Sequence, residues 1–75
     1  MPGAETLARL IRRANQTAAF FAHLPEDEAI AATANHLKSF WEPRLRAAAA
    51  DYLADHPDGG EFSPLAKSAI ESLDT

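Results

Sequence analysis

The sequence predicts an all-α protein, a small bundle of three to four short helices joined by Pro/Gly turns. Three observations predict it. Apolar residues recur at three- and four-residue steps, and nowhere do they alternate as a strand requires. Much of the 47% hydrophobic content is alanine, the strongest helix former. The helix-breaking residues fall between the periodic stretches, at Pro25, at Pro43 and in "HPDGGEF", residues 56–62. At 75 residues and with no internal repeat, the chain reads as a single domain spanning residues 1–75.

The first helix is predicted over residues 4–23. Leu7, Leu10, Ile11, Ala14, Ala18 and Phe21 make one apolar stripe. Arg9, Arg12, Arg13 and Gln16 fall on a different side. Pro25 ends the helix, because its ring disfavours helical geometry at Leu24. Pro25 also suits the first position of a second helix. Glu26, Asp27 and Glu28 then complement the positive end of its dipole. Ile30, Thr33, Ala34, Leu37 and one of Phe40 or Trp41 continue the stripe until Pro43 pushes Glu42 toward extended geometry.

A third helix is predicted from Pro43 through "RLRAAAADYLAD", with Leu45, Ala49, Tyr52 and Leu53 inward. After the glycine-containing loop, Ser63 caps a short fourth helix that Pro64 opens. Leu65, Ala69, Ile70 and Leu73 give that helix a weak stripe. Helices this short need packing to persist.

Composition narrows the function. A net charge of −4 argues against a general nucleic-acid binder. No apolar run approaches the ~20 residues that span a bilayer, and no signal peptide is read at the N-terminus. The expected location is cytoplasmic. The chain has no cysteine, so it has neither a disulfide nor a thiolate metal site. His23, His36 and His56 share no metal-ligand spacing, no serine sits in a nucleophile elbow, and "PDGGEF" is not a phosphate loop. No constellation that carries catalysis is present.

Two segments stand out instead. In "ANQTAAFF", residues 14–21, Asn15 and Gln16 lie mid-helix, where Asn is a poor helix former. They are either exposed polar residues or amides that bond another chain's backbone or the next helix. Phe20 and Phe21 are adjacent and so point about 100° apart. Both cannot enter the core by one face. The same holds for Phe40 and Trp41 in "KSFWEPRLR", residues 38–46. Two such pairs are hard to hide in a domain this small, and clustered exposed aromatics mark an interaction surface. Arg44 falls in the first turn of a helix, where the dipole opposes a cation; an acidic partner or a cluster of carbonyls would offset that cost. Arg44 and Arg46 lie on roughly opposite sides of the third helix.

Together, "ANQTAAFF", "NHLKSFWEPRLR" and "AAAADYL" resemble the delta subunit of soluble NAD-dependent formate dehydrogenases. The matching positions are Ala14, Asn15, Gln16, Ala18, Phe20 and Phe21, then His36, Leu37, Phe40, Trp41, Glu42, Pro43, Arg44, Leu45 and Arg46. The resemblance covers residues 7–73 approximately. Arg13 and Thr17, Glu42 and Leu45 depart from it mildly, since that family often has Met, Ile, Asp and Met there.

The resemblance implies a noncatalytic accessory subunit that docks on the large molybdopterin catalytic (alpha) subunit and aids assembly or stability, with beta and gamma subunits in the same complex. The other subunits would oxidise formate and reduce NAD. The complex would hold a molybdenum or tungsten bis-pyranopterin, iron–sulfur clusters, FMN and NAD; this chain would hold no cofactor. The expected partner-binding residues are Asn15, Gln16, Phe20, Phe21, His36, Phe40, Trp41, Pro43, Arg44 and Arg46. Two alternatives stay open: a transient maturation factor for molybdenum cofactor insertion, and a self-associating helical module that forms a homodimer.

Overall fold

A computed structural model describes residues 2–73 of the chain, with side chains from Leu7 onward. It contains four helices: α1 (Pro2–Phe21), α2 (Glu26–Phe40), α3 (Pro43–Asp55) and α4 (Pro64–Ser72). No strand occurs among the described residues. The Cα radius of gyration is 11.3 Å, the value expected of a compact chain of this length.

α1 begins and ends earlier than the sequence predicts, at Pro2 and Phe21 instead of residues 4 and 23. The early stop has a local cause. The backbone N–H of Leu24 donates to the Phe21 carbonyl at 3.0 Å, and Nδ1 of His23 donates to the Phe20 carbonyl at 3.1 Å. These bonds satisfy carbonyls that a continued helix would have used. Pro25 proves to be the residue before α2, with ψ at 149°, while Glu26, Asp27 and Glu28 fill the first turn.

α2 stops where Pro43 requires it to. Trp41 and Glu42 are both extended, at ψ of 134° and 153°, and α3 starts with Pro43 in its first turn. α4 is capped by Ser63, whose hydroxyl accepts the Ala66 N–H at 3.3 Å.

The α3–α4 loop needs both of its glycines. Gly59 and Gly60 have φ of 100° and 56°, the left-handed region that side chains with a Cβ disfavour. A Cβ at Gly60 would also overlap the Tyr52 phenol ring. Tyr52 in turn accepts the Glu61 N–H through its hydroxyl at 3.0 Å.

The core joins Leu10, Ile11, Ala14 and Ala18 of α1 with Leu37 and Trp41, then Ala49 and Leu53 of α3, Phe62 of the loop, and Ala66 and Ile70 of α4. α1 and α4 each pack against all three other helices. α4 thus does more than the weak stripe on its sequence announces. Alanine explains how. Ala14, Ala49, Ala66 and Ala69 are fully buried, and small side chains let helix axes approach closely. Among the described residues, no helix is long and apolar enough to cross a membrane.

Candidate partner-binding surface

The two adjacent aromatic pairs resolve in the same way. In each, one ring stays out and its neighbour is the more covered, though only Trp41 joins the core cluster. Phe20 is 72% exposed while Phe21 is half-buried; Phe40 is 73% exposed while Trp41 is 8% exposed. The helical offset of about 100° between neighbours separates Phe20 from Phe21, and Trp41 turns away from Phe40 where α2 gives way to extended backbone. Phe20 and Phe40 are the large apolar side chains left in water among the described residues.

α1 and α2 bring the exposed rings into one ridge. Phe20 and Phe21 meet edge to face with centroids 5.1 Å apart. Phe21 faces the His36 ring at 6.4 Å, and His36 lies 4.6 Å from Phe40. The His36–Phe40 step is an i,i+4 neighbour on α2. The Phe21–His36 step crosses between the helices and makes the ridge continuous. Beside it, a hollow of about 340 Å³ is lined by Arg13, Gln16, Thr17, His36, Phe40 and Trp41.

Six of the residues expected to bind a partner therefore share one face: Gln16, Phe20, Phe21, His36, Phe40 and the edge of Trp41. Trp41 belongs mostly to the core, in one cluster with Leu37 and Ala49, and it also lines the hollow. Asn15 has a different employment. Its amide nitrogen donates to the Glu61 carbonyl at 2.9 Å, and its oxygen accepts the Ser63 N–H at 2.8 Å. It bonds the loop of its own chain that leads into α4. Pro43 and Arg44 are exposed and Arg46 is half-buried on the first turn of α3, outside the lining of the hollow.

The one ion pair among the described residues is Lys67–Glu71 at 2.9 Å. His56 stacks on Tyr52 at 4.0 Å and donates to the Tyr52 carbonyl at 2.8 Å, so it caps α3. Among the described residues, no three His, Asp or Glu side chains gather to hold a metal. The absence of cysteine leaves no donor set suited to an iron–sulfur cluster. Sequence reasoning missed Arg13 and Thr17 as neighbours of the ridge. The signal was available, because Arg9, Arg13, Gln16 and Phe20 step by four, three and four along α1.

These features define a class: a small all-α domain that presents a ring-lined face between its first two helices. The family model described as NADH-dependent formate dehydrogenase delta subunit FdsD matches residues 9–70, and the chain belongs to that family. No curated protein and no solved structure matches the chain.

Proposed function

We propose that this chain is a noncatalytic accessory subunit that docks through the Phe20–Phe21–His36–Phe40 ridge onto the large molybdopterin subunit of a cytoplasmic formate dehydrogenase, and aids its assembly or stability. The observation that carries this reading is the exposure of Phe20 and Phe40 at the two ends of a continuous ridge. Covering a large apolar side chain contributes about 1.5–3 kcal/mol, and aromatic anchors dominate protein interfaces. In this reading the bis-pyranopterin metal, iron–sulfur clusters, FMN and NAD belong to the other subunits, which supply the redox chemistry. This chain's own residues supply apolar area and orientation.

The test is co-purification of the tagged large subunit with Phe20→Ala/Phe40→Ala. The expected result is loss of this chain from the complex with its own helix content unchanged. Full retention would sink the reading. The ratio of chains in the active complex separates a permanent subunit, which stays at a fixed ratio, from a maturation factor, which leaves. The same exposed rings favour one further reading, pairing with a second copy of the chain. Sedimentation of the isolated protein would then give a dimer that Phe40→Ala dissociates.

A further inference from the structure

The hollow beside the ridge has a chemistry of its own. Its lining offers one guanidinium from Arg13, the amide of Gln16, the hydroxyl of Thr17, the His36 imidazole and the rings of Phe40 and Trp41. None of the six is acidic. Arg13 is exposed and has no ion pair among the described residues. Arg9 stands one turn before it on the same face, and it too is exposed and without an ion pair among the described residues. In a chain of net charge −4, this hollow is lined by a cation, by no acid and by two aromatic rings. Arginine forks bind carboxylates with two parallel bonds, and Phe40 and Trp41 offer apolar surface beside the fork.

We infer that this hollow seats an Asp or Glu side chain of the docking partner, its carboxylate on Arg13 and its aliphatic stem against Phe40, so that Arg13 orients the contact that the ridge anchors. The inference rests on the docking reading and adds to it the chemistry of the partner's surface. A phosphate backbone would also answer a cation beside aromatic rings. The overall negative charge disfavours it, because a nucleic acid extends past the recess and meets the chain's acids.

The experiment measures binding of this chain to the immobilised formate dehydrogenase complex lacking it, at 50 and 300 mM salt. Four proteins are compared: wild type, Arg13→Glu, Arg12→Glu and Phe40→Ala. Arg12 carries the same charge but lines a different hollow, with Asn15 and Glu61. Arg13→Glu is expected to weaken binding on the order of tenfold and to flatten the salt dependence, while Arg12→Glu stays within about twofold. Circular dichroism checks that each variant folds. If Phe40→Ala weakens binding but Arg13→Glu does not, or if Arg12→Glu matches Arg13→Glu, the carboxylate seat is wrong and the docking reading stands. If neither Phe40→Ala nor Arg13→Glu weakens binding, both fall. Arg13-dependent binding of a fluorescein-labelled single-stranded oligonucleotide, with none to the complex, also overturns it.

Discussion

Asn15 holds Ser63 across 48 positions of sequence, its Oδ1 accepting the Ser63 N–H at 2.8 Å. The other end of the same amide donates to the Glu61 carbonyl. One side chain in the middle of α1 thus fixes the strand of loop that leads into α4, and Ser63 is the residue that caps α4. The amide works like a backbone unit: it offers one donor and one acceptor to the turn that ends at Ser63.

Asn15→Ala leaves the Ser63 N–H without its partner in a half-buried setting. Such a loss costs about 1–3 kcal/mol. For a domain of this size, each 1 kcal/mol lowers Tm by about 4–8 °C. Thermal unfolding followed at 222 nm is expected to show that drop. Asn15→Asp keeps the acceptor for Ser63 but sets a carboxylate oxygen against the Glu61 carbonyl, so it too is expected to lower Tm. An unchanged Tm for Asn15→Ala would show that the loop holds itself.

Gly60→Ala attacks the same loop from the other side. At φ of 56° a Cβ costs about 1–2 kcal/mol of backbone strain, and here it also meets the Tyr52 phenol. Tyr52 cannot swing away freely. Its hydroxyl holds the Glu61 N–H and its ring packs on Phe62 at 5.5 Å. The expected cost exceeds that of strain alone. Tyr52→Phe/Gly60→Ala should recover little of it, because the hydroxyl clash disappears while the ring carbons stay too close to the new Cβ and the Glu61 N–H loses its acceptor. Denaturant midpoints of the two variants measure the difference.

Much of this architecture is legible in sequence, and the reasons are local. Pro25, Pro43 and Pro64 mark helix boundaries because φ and the missing N–H act within one or two residues. Ser63 as a cap follows from the same short range. What depends on distant partners is not legible. Asn15 can be marked as unusual mid-helix, yet its partners lie in a loop 46 and 48 residues away. Phe62 sits in a polar, glycine-rich loop and still enters the core. The choice of Trp41 over Phe40 for the interior needs the packing of α3 and α1, since helical periodicity alone allows either. The ridge was half-visible: adjacent rings require that some stay out, but only the pairing of α1 with α2 sets Phe21 opposite His36.

Phe40 and Trp41 give the cleanest separation of binding from stability. Phe40 is exposed, so Phe40→Ala is expected to change stability by no more than about 0.5 kcal/mol. Trp41 is core, so Trp41→Ala is expected to cost about 3–5 kcal/mol. A domain this small is stabilised by about 4–11 kcal/mol in total. Urea titration of the isolated chain should leave the midpoint of Phe40→Ala near wild type and move that of Trp41→Ala far below it. Equal effects would mean that the two rings are not divided between surface and core.

Thr33 offers the opposite sign. It is wholly buried on α2, and its hydroxyl has no hydrogen-bond partner within the described residues. A desolvated, unpaired hydroxyl costs about 1–3 kcal/mol in protein interiors. Valine has nearly the same shape, a similar helix propensity and no polar group to satisfy. Thr33→Val is therefore expected to raise stability by about 1 kcal/mol, or Tm by about 4–8 °C. Thr33→Ser keeps the hydroxyl and removes a methyl from a packed site, so it should lower stability. Differential scanning calorimetry of the pair gives the signs directly. If Thr33→Val lowers Tm instead, the hydroxyl is satisfied in solution by a buried water, and the core around α2 is wetter than its packing implies.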